Sequence, residues 1–312
     1  MELTRIRNNK VGLLAVLAAA LVAASALMAA GASAKPAKKK QKVDIQFTAT
    51  AGEKPVSCSK PIRGLGSTEQ TADLKDLRFY VTGVELTKRN GKSVPLDLSA
   101  KAPFSFRSPK GDVTLIDLEN GKGACAEEGT RAMNSHLRGK VPAGKYVGAE
   151  WTIGVPSALS HTDVTSAKAP LNLTAMDWSW QFGRKFMKIE VADPAGTDGS
   201  WSDSTFFVHL GSVGCVGNPA AGQKVKCAAP NESTVELRKF DPAKQKVAVD
   251  LKSLLAGNDV TANGGGAPGC MSGQTDPECG GVFGALGINW KTDGTGTGLA
   301  NGKQSVFRAI KG

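Results

Sequence analysis

Apolar and polar residues alternate in many short stretches of this chain, which is the pattern of half-buried β-strands. In the first stretch Val43, Ile45 and Phe47 share one face, and Asn90-Gly91 is a good hairpin turn further on. The alternation predicts strands at residues 43–49, 77–84, 94–96, 113–118, 146–153, 186–191, 206–210, 235–237 and 247–251. We therefore expect an all-β sandwich or barrel, and predict a β-sandwich of roughly nine short antiparallel strands with long loops.

Two stretches lack this alternation. Residues 157–183 hold many turn formers and few strand formers, and residues 256–281 are rich in glycine and carry two cysteines. A long loop without regular structure is usually either disordered or functional. The histidine and the two tryptophans inside the first stretch favour function for it.

The N-terminus is typical of an export signal. A basic start is followed by an apolar run over residues 11–30 and by the small residues Ala32-Ser33-Ala34. This pattern predicts a signal peptide over residues 1–34, cleaved after Ala34. The alternative is an uncleaved anchor, because a run of about 20 apolar residues could span a bilayer.

Export would leave a lysine-rich flexible leader at residues 35–42 and a single sandwich domain at 43–312 with glycine-rich C-terminal loops. The formal net charge is +11, but much of it lies in the signal and the leader. The remaining chain shows no basic stripe interleaved with aromatic residues, so we expect no nucleic-acid partner. We also expect a periplasmic protein with no stable membrane insertion once the signal is removed.

Six cysteines follow the predicted signal, and an even number in an oxidising compartment indicates disulfides. They are Cys58, Cys125, Cys215, Cys227, Cys270 and Cys279. The second and third pairs along the chain could close local loops, which would leave Cys58 and Cys125 as a long-range pair. Spacing does not fix the connectivity, so other pairings stay open.

Three histidines offer the candidate chemistry, and no catalytic motif accompanies them, so we expect a binding protein and not an enzyme. Trp178 and Trp180 would point to the same side of an extended segment. His161 lies about 17 residues before them, and His209 lies shortly before a cysteine. Neutral imidazoles are good copper ligands, and a thioether or aromatic neighbour favours Cu(I). From the residues alone, a hydrogen-bonded structural histidine and core tryptophans are the simpler explanation.

Several strings of the sequence together resemble the MbnP-like family, the four-Cys-motif protein of the "metallo-mystery pair" system. The resemblance covers about residues 43–290, with its elements in family order. The strings are Asp76-Leu77-Arg78-Phe79-Tyr80-Val81, Leu115-Ile116-Asp117-Leu118-Glu119, Gly154-Val155-Pro156, Leu159-Ser160-His161-Thr162-Asp163, Pro170-Leu171-Asn172, Met176-Asp177-Trp178-Ser179-Trp180-Gln181, His209-Leu210-Gly211-Ser212-Val213-Gly214-Cys215 and Gly269-Cys270-Met271.

The resemblance implies a periplasmic copper-binding protein whose partner is a di-haem c-type peroxidase related to MauG. That partner oxidises a tryptophan of its substrate protein to kynurenine. Carried onto this sequence, His161 and His209 become the copper ligands, and Trp178 or Trp180 becomes the oxidised residue. The resemblance makes Met176 and Met271 candidate soft neighbours of Cu(I), although both could simply pack in the core.

The sequence departs from the family pattern near the tryptophans. The family usually has Asn at the Ser160 position and an aromatic residue at the Arg184 position, and often an apolar residue at the Asp177 position. His136 has no counterpart in the family pattern, so we expect it at the surface. A different class of function also stays open, a secreted disulfide-stabilised β-sandwich for interaction or adhesion without a metal.

Overall fold

The fold is built almost entirely from β-strands, as the computed structural model shows for residues 39–179 and 183–312. The predicted signal peptide, residues 35–38 of the predicted leader and Trp180 lie outside these described residues. The end of the predicted leader already belongs to the first strand, which begins at Lys40. Every helix in the described ranges is too short or too polar to span a bilayer.

Twenty strands are described. They are β1 (Lys40–Ala51), β2 (Lys54–Pro55), β3 (Ile62–Leu65), β4 (Gln70–Lys88), β5 (Ser93–Pro95), β6 (Asp97–Leu98), β7 (Ser105–Ser108), β8 (Gly111–Asp117), β9 (His136–Pro142), β10 (Tyr146–Ile153), β11 (Asp177–Ser179), β12 (Gly183–Arg184), β13 (Met187–Ala192), β14 (Thr205–Leu210), β15 (Val213–Val216), β16 (Lys226–Ala229), β17 (Ser233–Leu237), β18 (Gln245–Asp250), β19 (Gly269–Cys270) and β20 (Phe307–Lys311).

Helices are short and lie between the strands. The α-helices are α1 (Ser157–Ser160), α2 (Leu251–Leu255) and α3 (Cys279–Leu286), and the 3₁₀ helices are Gly123–Cys125, Thr174–Met176, Gly196–Asp198 and Pro219–Ala221.

Two large sheets contain most of the strands. The first has the order β20-β18-β1-β9-β6, with β2 beside β1. The second has the order β17-β10-β4-β13-β14-β19, with β3, β5 and β8 also paired to β4 and β7 paired to β8. The pairs β1–β18 and β14–β19 are parallel, and the other pairs in these sheets are antiparallel. All nine predicted strands are present, within a larger set than the alternation predicted.

The long strand β4 organises the second sheet because different parts of it pair with different neighbours. Its C-terminal half pairs with β10 and its N-terminal half with β13. The predicted turn at Asn90-Gly91 connects β4 to β5, and Gly91 adopts a φ of +79°, which glycine accommodates readily.

The two sheets pack face to face through a cluster of aromatic rings. Phe47 and Phe307 come from the first sheet, and Phe79 and Trp151 come from the second. The rings meet edge to face, with centroids 5.5 to 6.2 Å apart. All four side chains are buried. This core confirms the predicted β-sandwich.

The aromatic cluster gives a test of the fold. Phe307 meets both Phe79 and Trp151 edge to face, and each such pair contributes about 0.5 to 1.5 kcal/mol beyond buried area. Phe307→Leu is therefore expected to lower the free energy of unfolding by roughly 1 to 3 kcal/mol in a denaturant titration. The control is Phe106→Leu on the half-buried strand β7, and an equal loss there would contradict this role of the cluster.

Three disulfides crosslink the chain, and their pairing is the one that the spacing suggested without fixing it. Cys58 is bonded to Cys125, Cys215 to Cys227 and Cys270 to Cys279. The second bond joins opposite residues of the β15–β16 hairpin. The third closes the glycine-rich segment and joins β19 to the start of α3.

Polar residues lie on the outer face of the second sheet, where β4, β13 and β14 run side by side. An outer face of a sandwich is usually solvated, but here the side chains are buried. Part of the cover is the loop after β8, since the backbone oxygen of Glu128 accepts a hydrogen bond from Arg78 in β4. Buried polar residues at this face mark the region where a functional site is expected.

Candidate functional site

His209 lies on this covered outer face of the second sheet. Its position in β14 is directly opposite Lys188 in β13. Its Nε2 atom is 2.7 Å from Oε1 of Glu190, two residues further along β13. The imidazole is buried, and its ring lies 5.3 Å from that of Phe207. The sheet register therefore sets the position of the imidazole.

Lys188 is the centre of a buried ionic cluster that holds Glu190 in place. Its Nζ atom lies 2.6 Å from Oδ2 of Asp76, 2.9 Å from Oε1 of Glu190 and 3.2 Å from Oε2 of Glu128. Arg78 pairs with the same Asp76 carboxylate. The three carboxylates could by distance hold a metal ion, but the lysine ammonium already contacts all of them. The ammonium group of Lys188 therefore takes the place of a metal ion here.

Hydrogen bonding sets the tautomer of His209. The Glu190 carboxylate can only accept when ionised, so the hydrogen of a neutral imidazole lies on Nε2 and the lone pair on Nδ1. Burial lowers the pKa of His209, the hydrogen bond that His209 donates to Glu190 raises it, and the net lowering of the pKa favours the neutral ring. Burial also raises the pKa of Glu190, but the bonds to His209 and Lys188 bring it below its usual range.

The other ring nitrogen of His209 is available to a ligand. Its Nδ1 atom is buried and has no hydrogen-bond partner among the described residues. An unpaired buried polar atom is costly and calls for an explanation. A histidine that donates one nitrogen to a carboxylate and presents the other lone pair has the arrangement of a metal-ligating imidazole.

His161 lies in different surroundings, directly after α1. The residue is 4% exposed, and its Nε2 atom is 3.6 Å from Sγ of Cys227. The imidazole also packs on Gly183, where a Cβ atom would lie 3.0 Å from two ring atoms. Gly183 has a φ of +81° as well, so both space and backbone conformation require glycine there.

Arg184 fixes the loop that carries His161. Its buried guanidinium donates to the backbone oxygens of Ser160 at 2.9 Å, Thr162 at 2.7 Å and Leu171 at 2.8 Å. It also lies 3.0 Å from Oδ1 of Asp177. Because these bonds bracket His161 on both sides, Arg184 holds the irregular segment 157–173 as an ordered loop.

Trp178 lies close to the strand end that follows His209. Its half-buried indole packs on Gly211, where a Cβ atom would come within 2.6 Å of Cζ3. The backbone there is held by Ser272, whose hydroxyl donates to the oxygen of His209 at 2.8 Å and accepts from the N–H of Gly211 at 2.9 Å. Asn231 donates to the oxygen of Gly211 at 2.8 Å.

Gly211→Ala is a test of this contact. A methyl group would overlap the Trp178 indole, and overpacking of this kind costs about 1 to 3 kcal/mol. We expect the free energy of unfolding to fall by about that amount. The control is Gly302→Ala, because nothing lies within 4 Å of a Cβ atom there. Equal stability of the two variants would contradict the packing of Trp178 on Gly211.

Comparisons with known proteins agree with this geometry. The model of the MbnP family matches residues 40–272. The chain belongs to the MbnP family. Its fold is similar to that of MbnP from Methylosinus trichosporium, with a TM-score of 0.77, 34% sequence identity, and coverage of 88% of this chain and 99% of that one. Among curated proteins no match is found.

Two departures from the expected MbnP pattern are explained by one interaction. Asp177 and Arg184, where the family resemblance leads us to expect apolar and aromatic residues, are opposite each other in the β11–β12 pair and form an ion pair. Ser160, the third departure, accepts a hydrogen bond from the Arg184 N–H at 3.2 Å. The three changes therefore belong to one local arrangement beneath His161.

The other predicted residues have varied positions in this MbnP-family fold. Met176 is fully buried in the core, and Met271 is half-buried with its N–H bonded to Asp276. His136 pairs with Asp44 at the surface, at 2.8 Å, with a side chain 30% exposed. That His161 and His209 share one copper ion stays a prediction. Residues 209–215 connect His209 to Cys215, whose disulfide lies beside His161. A segment of this length spans at most about 20 Å, which limits the distance between His209 and that disulfide.

Sequence reasoning missed Glu190 and Lys188. Both lie in a strand that was predicted correctly, between the buried Met187, Ile189 and Val191. Alternation assigns such residues to the solvated face. The sequence did offer one signal, a lysine and a glutamate in the strand that precedes the strand of His209. Only the pairing of these two strands shows that Glu190 reaches His209.

Proposed function

We propose that this MbnP-family protein is a periplasmic copper-binding protein that holds Cu(I) as its cargo through His209 and His161. The observation that carries the proposal is the buried Nδ1 atom of His209, which has no partner within the described residues while Nε2 is held by Glu190. Neutral imidazole is a suitable donor for copper, and Cu(I) needs few ligands.

The surrounding residues fit a soft, weakly solvated ion. Glu190 orients the His209 ring and fixes its tautomer, and Lys188 holds Glu190. Burial lowers the pKa of His209, which favours the neutral form that binds metal. The ring of Phe207 lies beside the imidazole. These residues orient the donor and exclude water before any ion arrives.

We further propose that a di-haem c-type peroxidase of the MauG type oxidises Trp178 or Trp180 to kynurenine. The packing of Trp178 on Gly211, two residues after His209, supports Trp178 as a candidate. Trp180 lies outside the described residues. Oxidation would replace an indole with an amine and a carbonyl close to the histidine strand.

Copper titration of the purified chain against a Cu(I) chelator tests the binding proposal. We expect one equivalent of Cu(I) for the native sequence and for the surface control His136→Ala. We expect the double variant His161→Ala/His209→Ala to lose that equivalent, because it removes both proposed donors. Unchanged stoichiometric binding by the double variant would instead favour an interaction module that does not use these histidines.

Mass spectrometry of protein from its native host tests the modification. Kynurenine formation gains two oxygen atoms and loses one carbon monoxide, a net increase of about 4 Da on the modified residue. The increase is expected on the peptide that contains Trp178 and Trp180, and fragmentation assigns it to one of them. An unmodified peptide from the native host would refute the peroxidase partnership but not copper binding.

A further inference from the structure

His161 and the Cys215–Cys227 disulfide bring three metal-binding atoms together at one point. A ring nitrogen of His161 and the two Sγ atoms all lie within 4.8 Å of one another, and Nε2 of His161 is 3.6 Å from Sγ of Cys227. The two cysteines are directly opposite in the β15–β16 hairpin, with Cα atoms 3.8 Å apart. His161 and Cys215 are buried, and Cys227 is half-buried.

In the oxidised protein these sulfur atoms are bonded to each other and are poor ligands, whereas thiolates are strong ligands for soft ions. We propose that reduction of the Cys215–Cys227 disulfide creates a second metal-binding state, in which both thiolates and His161 bind a soft cation such as Cu(I). This state does not involve His209 and goes beyond the proposed function of the oxidised protein.

The chemistry requires a dithiol reductant. One dithiol breaks the Cys215–Cys227 bond, gives two electrons and two protons to the protein sulfurs, and becomes a disulfide itself. The two new thiols then lose their protons as they bind the cation, with the neutral imidazole as third ligand. Two thiolates and one cation of charge +1 leave a net charge of −1 on the site.

The hairpin would keep the sulfurs together after reduction. Backbone pairing of Val213 with Ala229 and of Val216 with Lys226 lies on both sides of the disulfide. Neither pair depends on the sulfur bond. The 12-residue sequence separation of the two cysteines also makes this link local. The reduced cysteines would therefore remain opposite each other and beside His161.

The disulfide beside His161 is also the most accessible of the three. The cysteines of the other two are 5% exposed or less, while Cys227 is half-buried. Glu119 lies near the Cys58–Cys125 bond in a comparable way. Its two carboxylate oxygens, however, already accept N–H bonds from Gly121 and Thr130. The combination of access and an imidazole neighbour is found at Cys215–Cys227.

The test compares oxidised and selectively reduced protein without oxygen. The full chain is treated with limiting dithiothreitol, which is then removed by gel filtration, and alkylation with mass spectrometry identifies the reduced bond. Copper(I) is supplied as its bathocuproine disulfonate complex, and X-ray absorption at the copper edge reports the ligands. Circular dichroism checks that the fold is kept.

We expect reduction first at Cys215–Cys227, and sulfur scatterers around copper only after reduction. His161→Ala should weaken Cu(I) binding by the reduced protein by about tenfold or more, while the surface control His136→Ala should not. Cys215→Ser/Cys227→Ser should abolish the sulfur signal and leave Cu(I) binding at the site proposed for the oxidised protein unchanged.

Loss of the fold on reduction, the absence of copper–sulfur bonds, or equal binding by His161→Ala would each overturn the proposal. Failure of copper binding in the oxidised protein alone would refute the proposed function and leave this second state standing.

Discussion

His209→Ala is expected to lower the affinity for Cu(I) by at least about a hundredfold, because it removes the imidazole donor that the fold orients. The lost atom is the buried Nδ1, which has no other partner within the described part of the chain. The affinity is measured by competition with a Cu(I) chelator at fixed pH. His136→Ala is the matched control, since that histidine pairs with Asp44 at the surface.

The carboxylate behind His209 gives a finer version of this test. Glu190→Gln keeps the size of the side chain but removes the charge that holds the Nε2 hydrogen. Loss of such an outer partner typically costs about 10- to 100-fold in metal affinity. An unchanged affinity in Glu190→Gln, together with a large loss in His209→Ala, would show that the tautomer is not set by Glu190.

Lys188→Ala is expected to destabilise the fold by about 3 to 5 kcal/mol, because it leaves buried carboxylates without their cation. Lys188 is 3% exposed and contacts both Asp76 and Glu190. Burial lowers the pKa of its ammonium, but the two carboxylates raise this pKa by more than burial lowers it. The net shift is upward, so the group is charged at neutral pH. Chemical unfolding at pH 7 measures the loss.

A second variant at position 188 separates the loss of charge from the loss of volume, and a variant of an exposed lysine is its control. Lys188→Met keeps most of the aliphatic volume, so we expect a similar loss if the missing charge is responsible. Lys40→Ala removes an exposed partner of Asp97 and should cost no more than about 1 kcal/mol. A stable Lys188→Met protein would contradict the structural role of the buried ammonium.

The strands of the core were predictable because buried apolar residues alternate with exposed polar residues along each of them, and this alternation is visible in the sequence. Phe47 and Trp151 lie in alternating stretches, and both are found in the aromatic core. Strands β9 and β20 were missed, although Leu137 and Val141 show a short alternation of their own. Glycine and lysine between them weaken the pattern, and pairing with β1 makes β9 a strand.

The candidate site was only partly predictable, because its geometry depends on contacts between distant segments. The sequence, with its family resemblance, named His209 and Trp178 as candidates, and their role in a copper site stays a prediction. It could not show that Glu190 reaches the histidine, because alternation would place Glu190 in solvent. Asp177 and Arg184 likewise read as two unrelated departures, and only the β11–β12 pairing shows one ion pair.

Anomalous diffraction at the copper absorption edge, from crystals of the Cu(I)-loaded oxidised protein, tests the central claim most directly. We predict a copper ion bonded to Nδ1 of His209, with the Nε2–Glu190 hydrogen bond intact. A copper ion bound elsewhere, with Nδ1 of His209 bearing no metal, would contradict the account.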